Sequence, residues 1–98
     1  MPATPAKSNA PDPIDVVVGL RLRNARKARG YLQADLAKAL GVTFQQIQRY
    51  EHGRNRISVS TLIRAAAALD VAPEDLLPQP EDLLRFERTL NGRAHRPD

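Results

Sequence analysis

From Ile14 onward the apolar residues recur at helical spacing, and no stretch alternates long enough to read as a strand. Ile14, Val18, Leu22 and Ala25 share one helical face, while Arg21, Arg23, Asn24 and Lys27 fall elsewhere. Gly30 closes this period behind Arg29, a base suited to a last turn, so a first helix is predicted over about 14–29. A second, short helix runs from Gln33 to Leu40 with Leu36, Ala37 and Leu40 inward, Asp35 in its first turn and Gly41 at its end. A third begins after Thr43 and ends at Gly53. A fourth follows Ser58 or Ser60 as its cap and runs through LIRAAAAL to about Asp70. Pro73 opens a fifth of one or two turns, PEDLL, and Pro78 and Pro80 then break the chain. The segment EDLLRFERTLNG is amphipathic, with acids at its start and Asn91-Gly92 at its end; a sixth helix and a frayed tail both fit it. Residues 1–13 hold four of the eight prolines and no apolar period, the composition of a disordered tail. The expected fold is all-α: a compact five-helix bundle over 14–78, preceded by that tail and followed by an extension, 79–98.

Composition narrows the function. A chain of 98 residues makes one small domain, and with 42% apolar but only 4% aromatic residues its core must be aliphatic. There is no cysteine, which excludes disulfides, thiolate metal sites and a Cys nucleophile and suits a reducing cytosol. No apolar run approaches the ~20 residues of a membrane span, and the N-terminus lacks a signal-peptide core. The expectation is a cytoplasmic protein with no membrane contact. Net charge is +4 but unevenly spread: ten bases face two acids, Asp35 and Glu51, between Arg21 and Arg64. A basic middle third is the footprint of a polyanion partner, and a solvated basic surface is the plain alternative. Nothing suggests catalysis. His52 and His95 are far apart, and no nucleophile–base arrangement, phosphate loop or metal-ligand set appears, so neither an enzyme nor a cofactor is expected. Single-strand binding wants stacking aromatics, and only Phe44 is a candidate, because Tyr31 and Tyr50 hold structural places.

The informative stretch is a twenty-residue unit from Gln33. Leu36, Leu40, Val42, Ile47 and Tyr50 occupy its inward places, Ala37 its fifth and Gly41 its ninth. Two helices crossing at about 90–120° through a short turn approach closely, so the contact must be small, hence Ala37. The turn wants a positive φ, hence Gly41. In the third helix Thr43 is a good N-cap, and Thr43-x-x-Gln46 matches a capping box, a structural job for Gln46. Ile47, Tyr50 and Thr43 cluster inward with Glu51 at their edge; Gln45, Arg49 and His52 face the other way with Gln48 on the flank. Outward Gln and Arg suit a major groove, since Gln bonds adenine and Arg guanine bidentately at ~1–3 kcal/mol of discrimination each. A merely solvated face is more usually built of Glu and Lys. Phe44 has two open roles, contact with a thymine methyl or packing against the second helix or a partner monomer.

These residues resemble the helix-turn-helix of the phage repressor and Cro type. The likeness runs from about Val18 to Leu77, through RLRNARKARGYLQADLAKALGV, RYEHG and LIRAAAALDVAPEDLL, and the string FQQIQRYEHGRNRIS resembles a proteobacterial subgroup of these regulators. The resemblance implies a sequence-specific regulator of transcription, a repressor, bound to double-stranded DNA as a homodimer on half-sites about one turn (~34 Å) apart. It implies base contacts from Phe44, Gln45, Gln48 and Arg49 in a recognition helix over about 44–52. Phosphate contacts would come from Gln33 and the start of the second helix, from Thr43 and His52, and from the loop Arg54-Asn55-Arg56. That loop is about one residue longer than in the phage repressors, which leaves Arg54 and Arg56 interchangeable. The resemblance also pairs Arg26 with Glu51, fixing the recognition helix. Two positions depart from the pattern. Leu32 stands where a Ser, Thr or Asn usually caps the second helix and holds a phosphate, and Phe44 stands where a small or polar residue is usual. A dimer surface is expected at Val71, Leu76 and Leu77, extended by Leu83, Leu84, Phe86 and Leu90, for which packing on the same monomer is the alternative. Many small proteins resembling this one are antitoxins, which makes a protein partner of the C-terminal extension the competing function.

Overall fold

A computed structural model describes residues 10–85 of the chain. It contains α1 (Pro13–Arg29), α2 (Gln33–Leu40), α3 (Phe44–Glu51), α4 (Val59–Leu69) and a 3₁₀ helix (Pro73–Leu76), and turns helical again over residues 80–85. No strand occurs among the described residues. The architecture is all-α, as the periodicity predicts. The tail 1–9 and the residues Phe86 and Leu90 lie outside the described residues.

All the labelled helices but α2 start where a side chain or a proline relieves the first amides. α1 begins inside the segment expected as tail: the Asp12 carboxylate accepts from the Ile14 amide at 2.8 Å, and Pro13 takes the first helical position, where its missing N–H is no loss. The pair Asp12-Pro13 was a legible start signal that the apolar period alone does not contain. Ser58, rather than Ser60, caps α4, its hydroxyl accepting from the Thr61 amide at 3.1 Å. Behind Ala72, the 3₁₀ turn takes Pro73 first and lays Leu76 under α1 and α4.

The core is small and aliphatic: Leu22 of α1, Leu36 and Ala37 of α2, Ile47 of α3, Leu62, Ala65, Ala66 and Leu69 of α4, and Leu76. Val18, Ala25, Leu40, Val42, Tyr50, Ile57 and Val71 pack around it half-buried. One expectation is corrected here. Leu76 is 1% exposed within a single chain, so it belongs to the core and cannot meet a second copy; the neighbouring Leu77, 42% exposed, faces out instead.

α3 packs on α1 and α2 together, and α4 lies across α2. Ala37 is buried at the α2–α3 crossing, and Gly41 takes φ +68° so that the Val42 amide reaches the Ala37 carbonyl at 3.0 Å. The close approach of α1 to the end of α3 depends on a glycine inside α1. A Cβ on Gly19 would stand 2.3 Å from the Tyr50 carbonyl oxygen and 2.8 Å from that of Glu51. A glycine in the middle of a helical period costs about 1 kcal/mol against alanine, so its presence was itself a signal of close packing. Gly19→Ala should therefore lose about 1–3 kcal/mol or more in urea denaturation despite its better helix propensity. Gly30→Ala meets open space and should lose only about 1 kcal/mol, from its positive φ. A Gly19→Ala protein as stable as the parent would contradict this packing.

Candidate nucleic-acid interface

α3 is held by both its ends. At its start the Thr43 hydroxyl accepts from the Gln46 amide at 3.0 Å. The reciprocal half of the capping box is not formed among the described residues: the Gln46 side chain makes no bond back to Thr43, and its expected structural job reduces to the backbone amide it supplies. Ile47 and Glu51 are the buried residues of the helix. Phe44, Gln45, Arg49 and His52 are exposed and Gln48 is half-buried. Gln45, Gln48, Arg49, His52 and Arg54 together line one open concavity of about 340 Å³. Bonding between His52 Nδ1 and the Gln48 carbonyl, at 2.9 Å, ties that ring to the helix end.

Beneath this face lies a buried ion pair. Arg26 Nε donates to Glu51 Oε2 at 2.6 Å and its Nη2 to Oε1 at 3.0 Å, a two-pronged geometry that suits a guanidinium and a carboxylate. The third nitrogen, Nη1, donates to the Tyr31 carbonyl at 2.8 Å. Gln33 Nε2 donates to Glu51 Oε1 at 2.9 Å. The two charged side chains are 8% and 1% exposed. Gln33, expected free for a phosphate, thus spends one N–H on this network and keeps its second. At the start of α2, leucine offers no acceptor; instead Asp35 accepts from the Leu32 amide at 2.8 Å, and the Leu32 side chain is 68% exposed.

The loop behind α3 separates two arginines that the sequence left interchangeable. The Arg54 amide bonds the Arg49 carbonyl at 2.9 Å, and its side chain stands with the Gln45–Arg49 stripe. Arg56 turns instead to the start of α1: its Nε lies 3.2 and 3.3 Å from the Asp15 carboxylate oxygens and its Nη2 3.7 Å from Asp12. The hydrogen bond with Asp15, then the charges of Asp15 and Asp12, push its pKa up further. Arg56 thus faces the carboxylates at the start of α1, while its side chain stays 74% exposed. Asn55 is half-buried in a cleft with Val18, Gly19 and Tyr50, between the two arginines.

The sequence model of the helix-turn-helix family matches residues 22–76. The chain belongs to the helix-turn-helix family of the phage repressor and Cro type. Among curated relatives of this family, a helix-turn-helix-type transcriptional regulator of Sinorhizobium fredii is 46% identical over 96 residues, which are 94% of this chain and 63% of the relative. Regulators of Sinorhizobium medicae and Rhizobium meliloti are 48% identical over 61 residues, 44% of their own length; the chain thus spans about half to two-thirds of these relatives. Among solved structures, the restriction–modification controller protein C.AhdI of Aeromonas hydrophila is similar at a TM-score of 0.62 and 33% identity over 64% of this chain and 96% of that one. The biofilm regulator SinR, solved in complex with DNA, is similar at a TM-score of 0.57 and 30% identity over 60% of this chain and 95% of that one.

The buried pair gives a direct prediction. Arg26→Ala or Glu51→Ala leaves a charge stranded in the interior and should cost about 3–5 kcal/mol in chemical denaturation. Replacing both at once by Met and Leu should cost clearly less than either single change. Single changes below about 1 kcal/mol would contradict the burial of the pair.

Proposed function

We propose that this helix-turn-helix protein is a sequence-specific binder of double-stranded DNA that regulates transcription, as a repressor, by placing α3 in the major groove. The observation that carries this reading is the outward stripe of Gln45 and Arg49, with Gln48 beside it, on a helix whose roll is fixed by a buried ion pair. Side chains that can bond base edges bidentately read sequence only if their helix is rigid. The basic middle of the chain supplies the attraction to the polyanion. In this reading phosphates are held by the free amides at the start of α2, the second N–H of Gln33, Thr43, His52 and above all Arg54.

One recognition helix covers only a few base pairs, so two copies on a palindrome are required. The surface best suited to join them is an apolar groove of about 420 Å³ lined by Ile14, Val18, Val59, Ile63 and Leu77, with Asp12, Asp15 and Arg56 also on its wall. Val59 is 75% and Ile63 50% exposed, an apolar patch that a second copy would cover. This moves the expected interface from Val71, which packs half-buried on the core, toward the start of α4, with Leu77 kept.

A second reading has one observation of its own. Asp82 accepts from the Gln79 amide at 2.9 Å and from Arg21 Nη2 at 3.0 Å, which anchors residues 80–85 to α1 while Leu83 and Leu84 stay about half exposed or more. A side-on partner protein, the alternative raised by the resemblance to antitoxins, would use that edge. Leu83→Asp should then release such a partner and leave DNA affinity unchanged.

In-vitro selection of bound duplexes should yield a palindromic motif. Gln45→Ala and Arg49→Ala should each relax one position of it by about 1–3 kcal/mol. Arg54→Ala should weaken all sequences alike and lower the salt slope by about one, with a smaller effect from Arg56→Ala. Ile63→Asp should yield monomers that keep their fold but lose tight operator binding. No selected motif, or a motif unchanged in the Gln45→Ala and Arg49→Ala proteins, would overturn the groove assignment.

A further inference from the structure

Phe44 is the residue of α3 that neither the fold nor the polar stripe accounts for. It opens the helix, 44% exposed. The core closes without it, and it is no part of the apolar groove that suits a second copy, which is lined from α1, α4 and the 3₁₀ turn with its flanks. Both structural uses of the ring are therefore weakened. Its direction is set by the helix. Phe44 precedes the buried Glu51 by seven residues, a displacement of about 20° around the axis, so it shares the packed side's direction at the opposite end of α3. It is only about 40° from Gln48 and about 100° from Gln45. The ring thus stands beside Gln48, at the edge of the outward stripe.

A phenyl ring can neither donate to a phosphate nor bond a base edge. The major groove offers it one apolar feature, the C5-methyl group of thymine. We propose that Phe44 packs against a thymine methyl at one fixed position of each half-site, next to the base met by Gln48. This rests on the reading of α3 as the groove-entering helix, and it adds a commitment about the operator: a thymine there is selected for its methyl group and not for its pairing.

The test uses the full chain and the duplex obtained by selection. Each thymine in turn is replaced by deoxyuridine, which removes the methyl and keeps the hydrogen-bonding edge. At one symmetry-related position affinity should fall about fourfold, the worth of one buried methylene at tenfold per 1.4 kcal/mol. Phe44→Ala should bind the thymine and deoxyuridine duplexes equally at that position. Because the ring is outside the core, its thermal melting should match the parent, which separates lost contact from lost fold. A parent protein that binds the selected motif with no deoxyuridine penalty anywhere overturns the proposal and leaves the groove assignment standing. So does a penalty that survives in Phe44→Ala. Failure to select any motif removes the groove assignment itself, and the proposal with it.

Discussion

The arrangement of this domain depends on one interaction, the buried pair of Arg26 and Glu51. A short helix of eight residues, Phe44–Glu51, has too few turns to hold its own orientation, and isolated helices of that length are marginal in water. The pair clamps its last turn to α1 through two hydrogen bonds, and Gln33 and the Tyr31 carbonyl complete the polar partners on either side. Burial of two charges is costly unless every remaining lone pair and proton finds a partner. Here four bonds converge on one guanidinium and one carboxylate, which leaves few alternative rolls for α3. The outward stripe is a consequence of that inward clamp.

Backbone approach completes the clamp. Gly19 lets α1 come against the carbonyls of Tyr50 and Glu51, and Gly53, at φ +72°, turns the chain so tightly that a Cβ there would meet the Val16 backbone at 2.7 Å. These two glycines and the ion pair act on the same end of α3. The start of α3 is lighter: a threonine cap, an exposed phenylalanine and no bond from the Gln46 side chain. The helix is thus held more firmly at its C-terminal end than at its capped start.

Much of this was legible in the residues. The 3.6-residue period gave the four α-helices to within about a residue, because apolar spacing, Gly30, Gly41 and the Ser and Thr caps agree with one another. The spacing from Gln33 to Tyr50 carried the helix-turn-helix, and the Arg26–Glu51 partnership followed from the family likeness. What stayed hidden was long-range. That Arg56 would face Asp12 and Asp15, 41 and more residues away in sequence, cannot be read from a loop that holds two arginines with one residue between them. Leu76 and Leu77 look alike in sequence, and only the geometry of the 3₁₀ turn decides which is core. Gly19 was readable in principle, as an unexplained glycine inside a strong helix.

The central claim is that α3 reads the major groove. Methylation interference tests it directly, because dimethyl sulfate places a methyl on guanine N7 in the major groove and on adenine N3 in the minor groove. Interference should come from a guanine N7 in each half-site, and the Arg49→Ala protein should no longer feel it at that guanine. Interference confined to adenine N3, or guanine interference indifferent to Arg49, would contradict the account.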